Sequence, residues 1–187
     1  AQQREWDTLQ DTLKRLLAQL EPLIALEVAA VRVQQHLPRF EVYYPEAGWV
    51  RQLLLTVISY ASAPDHLPEQ ALTQFPSPGC GNYIRAVLDL ARAVQTGTTP
   101  YERYSHITNA IANTTLAELM DGYYRQRPDE WERLNADADA VNRETGLTVR
   151  QELYGRFWMD DAVARRDTAI WLAVADAIAG RFNEVLK

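Results

Sequence analysis

Apolar residues recur at every third or fourth position along almost the whole of this chain, and the breaks between those stretches are Pro, Gly and Thr signals. That period puts one face of a helix against a core in each stretch and leaves little of the two-residue alternation that a sheet needs. The fold class implied is all-α, a compact bundle of six to eight helices. At 187 residues the chain fits a single helical domain spanning 1–187. A domain of this length buries roughly 70% of its unfolded surface, enough for a core without metals or disulfides. Residues 1–37 read as a helical hairpin or kinked helix docked on the remainder.

The first helix is expected over Arg4 to Leu20, with Trp6, Leu9, Leu13, Leu16, Leu17 and Leu20 on one stripe. Pro22 kinks it or starts a second helix, whose wide apolar face (Leu23, Ile24, Leu26, Val28, Val31, Val33) implies burial against more than one neighbour. Pro38 is expected to end that helix. Residues 38–48, in which Phe40, Val42 and Tyr44 alternate before Pro45, then read as an extended connector. Helices follow over Trp49–Ser62 and Asn82–Gln95, separated by a long Pro/Gly-rich loop, 63–82, with a short helix over Pro68–Phe75 inside it. Thr99-Pro100-Tyr101-Glu102 is a capping box opening a helix toward Gln126, which the Asn109, Asn113, Thr114, Thr115 cluster is expected to break. Pro128 restarts a helix that Gly146 ends. Thr148 and Gln151 cap a final apolar segment running to Ile178, interrupted near Gly155 and Met159-Asp160-Asp161. No internal repeat is present.

Charge and cysteine content narrow the function classes. A net charge of -6 argues against nucleic acid and anionic lipid, even though Arg39, Arg51, Arg125 and Arg127 would suit phosphates if they clustered. Apolar runs fall short of the ~20 residues that span a bilayer, so no membrane association is expected. Cys80 stands alone and the first residues have no apolar signal core, which points to the cytoplasm. One cysteine with His36, His66 and His106 scattered cannot make a structural zinc site, and no cofactor fingerprint is present. Metal and cofactor are therefore both read as none.

Three features could carry chemistry. The loop Phe75–Asn82 places Cys80 between Gly79 and Gly81 at a helix start, where unpaired N–H groups can lower a thiol pKa. A cysteine hydrolase would also need a histidine, and His106 with Asn109 is the best pairing available. The same glycines could instead hold an anion or small molecule. The plainer account is a buried cysteine in a helix-to-helix turn. Glu118 and Asp121, three apart, half-match a magnesium motif, although a solvated helix face explains them as well.

The third feature is a set of aromatic and arginine residues at helix ends: Trp6, Tyr43, Tyr44, Trp49, Tyr123, Tyr124, Arg125 and Arg127. These types are enriched at binding hot spots, although in a bundle most rings simply cap the core. The leading expectation is a protein-interaction, scaffold or regulatory domain without intrinsic catalysis, binding a protein partner or itself through those residues. The alternative is a small hydrolase, or an anion or small-molecule binder, at 75–82 around Cys80. A third arrangement, an apolar ligand held against the wide face of residues 23–33, would need a cavity there.

Overall fold

A computed structural model describes residues 2–59, 63–64, 66–159, 172, 174–176 and 179–180, the side chains of 2–5 and 9 excepted. Among these, seven α-helices and one 3₁₀ turn form an all-α, multi-helix fold. In chain order they are α1 (Gln2–Leu17), α2 (Pro22–Tyr43), α3 (Gly48–Ile58), the 3₁₀ turn Glu69–Thr73, α4 (Cys80–Ala93), α5 (Pro100–Arg125), α6 (Pro128–Asp137) and α7 (Val149–Met159). The expected continuation through Ala162, Ala169, Ile170, Ala173, Ala177 and Ile178, with Asp160 and Asp161, lies outside the described residues, as do Tyr60 and Ser62. Among the described residues no helix is long and apolar enough to cross a membrane.

The antiparallel pair α4 and α5 shares the largest interface and forms the centre of the bundle. Small residues line it. Ala86, Ala93, Ala110 and Ala117 are buried, and Gly79, in the left-handed conformation at φ 76°, caps the start of α4. The Asn109–Thr115 cluster does not break α5, contrary to expectation. Thr108, Thr114 and Thr115 each donate their hydroxyl to the carbonyl four residues back, which satisfies the polar atom inside the helix and keeps its surface flat. The box at its start is formed: Thr99 Oγ1 accepts from the Glu102 N–H, and Glu102 Oε2 accepts from the Thr99 N–H at 2.9 Å.

The wide face of α2 packs on α3, α4 and α5. Pro38 does not end this helix, and the expected extended connector 38–48 shrinks to four residues, 44–47. A proline inside a helix removes one hydrogen bond and costs about 3 kcal/mol. Here Pro38 sits on the solvent side, so water can reach the carbonyl of exposed Gln34 that loses its donor. Buried Leu37 and Phe40 hold the helix in register on either side. The apparent alternation of Phe40, Val42 and Tyr44 is therefore helical. Phe40 and Tyr44 lie one turn apart toward the core, and Val42 faces water.

A polar seam joins α2 to α5 across this apolar contact. Arg32 pairs with Glu118 through both terminal nitrogens, His36 Nδ1 lies 3.6 Å from Glu118 Oε1, and Arg39 Nε donates to Asp121 Oδ2 at 2.8 Å. Tyr43 Oη donates to Asp121 Oδ1 at 2.6 Å, and Arg125 closes on the same carboxylate. Residues 32, 36, 39 and 43 share one stripe of α2, as 118, 121 and 125 do on α5, so the pairing sets the register of the two helices. Glu118 and Asp121 are thereby engaged by α2 arginines, as seam residues rather than magnesium ligands. Among the described residues, no group of three or more His, Cys, Asp or Glu could hold a metal.

The C-terminal end of α5 carries α6 and α7. Leu119, Met120, Tyr123, Tyr124 and Phe157 form a second core, with Trp6, Trp131 and Trp158 packed on it, and Leu134, Val149 and Leu153 form a third. Thr148 caps α7 with Gln151 in the reciprocal role, as expected. α6 ends at Asp137, well before Gly146, because the chain turns there into a short antiparallel contact between Val141 and Thr148.

Burial pushes both seam carboxylates up, but the bonds from His36 and Arg32 to Glu118, and from Arg39, Tyr43 and Arg125 to Asp121, outweigh it. Both sit below the ordinary carboxylate range. Carboxyls depressed in the fold contribute stability that is complete above their unfolded values and lost as pH falls through the folded ones. Urea titrations should therefore show stability nearly flat from pH 7 to about 5 and falling below about pH 4. Asp121→Asn should lower stability at pH 7 by roughly 2 kcal/mol and flatten the acid slope. An unchanged slope would mean that the seam does not couple to folding.

Candidate functional site

The loop around Cys80 is built as packing. A Cβ on Gly79 would stand 2.2 Å from the carbonyl oxygen of Ala117, so the glycine exists to let α4 start against the backbone of α5. Cys80 is 2% exposed. Burial, helped by the negative charge of Asp121, pushes its thiol up to about 12, with Arg39 opposing. A thiol in that state is protonated at neutral pH and a poor nucleophile, whatever the helix dipole contributes.

Aromatic residues clasp the same loop. The Ser77 N–H donates to Tyr44 Oη, whose hydroxyl in turn lies 2.9 Å from Ser77 Oγ. Trp131 Nε1 and Asn135 Nδ2 donate to the carbonyl of Pro76 at 2.6 and 3.2 Å. Phe75 packs edge-on against Phe40 and Tyr44, with Trp49 beside it.

The candidate contact residues consequently fall into several places rather than one patch. Tyr44 and Trp49 secure the 75–82 loop, and Tyr43 belongs to the α2–α5 seam with Arg125. Tyr123 and Tyr124 are buried in the second core, and Tyr124 Oη donates to the carbonyl of Leu153 at 3.2 Å. Arg127 lies over the Tyr123 ring at 4.0 Å. Trp6, which sequence alone left near a free end, meets Trp158 edge-on at 5.6 Å. The four arginines considered for phosphate binding are also dispersed: Arg39 and Arg125 share Asp121, Arg51 pairs with Glu41, and Arg127 stacks on Tyr123.

His106 is not paired with Asn109. Its Nδ1 lies 3.1 Å from Oδ1 of Asp89 on α4, a carboxylate 4% exposed. Arg92 Nη1 reaches the same oxygen at 3.1 Å, and Asn113 Nδ2 reaches Oδ2 at 3.4 Å. Asp89 lies nine residues beyond Cys80, about 13 Å along α4. The thiol and the imidazole are thus at different levels of the bundle. An ionised carboxylate only accepts, so in the neutral imidazole the proton sits on Nδ1 and Nε2 keeps its lone pair. His106 lines an open polar cleft of about 340 Å³ with Arg92, Gln95, Thr96, Gly97, Thr98 and Glu102.

Sequence reasoning missed Asp89. The signal was present: it is the single acid in the apolar run Ala86–Ala91 of α4, and an acid on a buried stripe needs partners.

A second depression is apolar. Leu26, Glu27, Ala30, Val31 and Gln34 of α2 with Val57 and Ile58 of α3 line a groove of about 310 Å³. No family model, curated protein or solved structure matches this chain.

Native Cys80 should resist thiol reagents at pH 8 and label fully once urea unfolds the chain; rapid native labelling would contradict its place in the core. Gly79→Ala should lower unfolding free energy by roughly 3 kcal/mol or more, read by urea denaturation, from strained φ and overlap with Ala117 together.

Proposed function

We propose that this chain is a helical interaction domain without catalysis of its own, which seats an amphipathic helix of a partner protein in the groove between α2 and α3. The observation that carries the reading is a cluster of unburied large apolar side chains beside that groove. Leu23, Glu27, Val31 and Gln34 form one stripe of α2, with Leu23 59% and Val31 42% exposed. On α3, Leu55, one turn before groove-lining Ile58, is 54% exposed. Single exposed apolar residues are ordinary on any protein, and Val42, Tyr101 and Met159 are of that kind here. Exposed apolar side chains bordering an apolar groove are the arrangement that helical ligands use, with anchors at three- and four-residue spacing.

This groove lies against part of the wide α2 face of residues 23–33. It is an open depression between helices, so a partner's side chains fit it better than an enclosed apolar ligand would. Cys80, pushed up and buried, supports the reading without hydrolytic chemistry. A single buried free cysteine is in keeping with a cytoplasmic setting, and the net charge of -6 with a protein rather than a nucleic-acid partner.

A displayed-peptide selection against the full chain tests this. Selected sequences should carry apolar residues at helical spacing, and Val31→Glu or Leu55→Glu should weaken their binding at least about tenfold. The same variants should change unfolding free energy by under about 0.5 kcal/mol, as exposed substitutions do. Binding insensitive to both would sink the proposal, and a concentration-dependent dimer abolished by both would assign the groove to a second copy of the chain.

A further inference from the structure

The Asp89–His106 pair and the cleft it faces are not used by the proposed docking groove, and their chemistry has a definite sign. Both terminal nitrogens of Arg92 are consumed inside the protein, Nη1 by Asp89 and Nη2 by Glu69. Gln95 Nε2 donates to the carbonyl of Pro64, and Thr98 Oγ1 donates to the carbonyl of Arg92. The proton on His106 Nδ1 goes to Asp89. These donors of the cleft are engaged within the protein, and two of its lining acceptors suit a cation. One is Nε2 of His106, which Asp89 holds as a lone pair. The other is the carboxylate of Glu102, one helical turn before His106 on the same face of α5 and in the same cleft. Hydrogen bonds from Thr99 hold the Glu102 carboxyl below its usual range, so it is charged at neutral pH.

Charge points the same way. Glu69, Asp89 and Glu102 gather here against Arg92 and Arg103, and Arg103 Nε is itself engaged by the carbonyl of Ala93 at 3.0 Å. The negative dipole end of α4 and the positive dipole end of α5 meet at this turn and offset each other. A volume of about 340 Å³ admits one small group, at the lower end of what small-molecule sites enclose.

From this we infer that the cleft at the α4–α5 turn binds an alkylguanidinium or alkylammonium group, with Glu102 supplying the opposite charge and His106 Nε2 accepting one N–H. Asp89 is a positioning residue that fixes the imidazole tautomer and ring orientation. The group reaches the cleft either as a free small cation or as an arginine or lysine side chain of a partner, and the chemistry of recognition is the same.

Proton–carbon NMR of the His106 ring in the full chain at pH 8 decides the matter. Titration with agmatine should move the His106 signal saturably with Kd of about 1 mM, and leave His36 and His66 unmoved. Glu102→Gln keeps a hydrogen-bonding side chain in the capping box but removes the charge, and should weaken binding roughly tenfold. Asp89→Asn should weaken binding too, and the His106 ring nitrogen shifts should show the tautomer redistributed, a change that simple loosening of the fold would not produce. An acetylated arginine tripeptide binding at least about tenfold tighter than agmatine assigns the cleft to a partner's side chain; equal affinity assigns it to a free cation. The inference fails if His106 is unmoved by about 50 mM agmatine beyond a sodium chloride control. It fails equally if Glu102→Gln binds as wild type, or if only zinc ions shift the signal.

Discussion

Close approach of α4 and α5 is the constraint from which the remaining structure follows. It needs a glycine where Gly79 meets the carbonyl of Ala117, and alanines such as Ala86, Ala93 and Ala110 on the facing sides of the two helices. Once those helices lie together, the buried face of α4 presents Asp89 to α5, where His106 and Asn113 meet it. The same pairing buries Cys80. What looks in sequence like a reactive loop is a consequence of packing one helix on another, and what looks like a broken helix is kept whole by threonines that bond back to their own backbone.

Polar groups in this bundle set the register of its helices as well as contributing the pH-dependent part of its stability. Arg32 and Glu118 are drawn out of water together, and one Arg32 nitrogen, Nε, is left without a hydrogen-bond partner. Buried pairs of this kind repay little more than their desolvation. Their value lies in discrimination, since the two-nitrogen contact of Arg32 with Glu118 and the bond from Arg39 to Asp121 form together at one register of α2 on α5. The wide apolar face holds α2 onto the core, and the polar seam chooses its position there.

Much of the architecture was legible in the letters. The capping boxes at Thr99 and Thr148, the turn expected inside 68–75 and the all-helical class rest on local chemistry and appear as expected, and of the two readings of Pro22 the structure takes the helix start. Pro38 and the Asn109–Thr115 cluster were misread because propensity is local, while long helices are held by partners. The misreading of the aromatic residues has the same origin. Tyr and Trp have an apolar body and a polar tip, so spacing alone does not separate a ring that closes a core, as Tyr124 does, from one that meets a partner.

By itself the sequence determined where helices start, which face of each is apolar, and that Cys80 has no cysteine to pair with in this chain. These are properties of neighbouring residues and of the 3.6-residue repeat. Tertiary structure alone decided which side chains from separate helices meet: His106 with Asp89 instead of Asn109, Trp131 with Pro76, Trp6 with Trp158. It also decided that an apolar groove lies between α2 and α3. The reason is that a functional site here is a relation between faces of different helices, and the angle and register of those faces are set by packing that no single stretch of sequence contains.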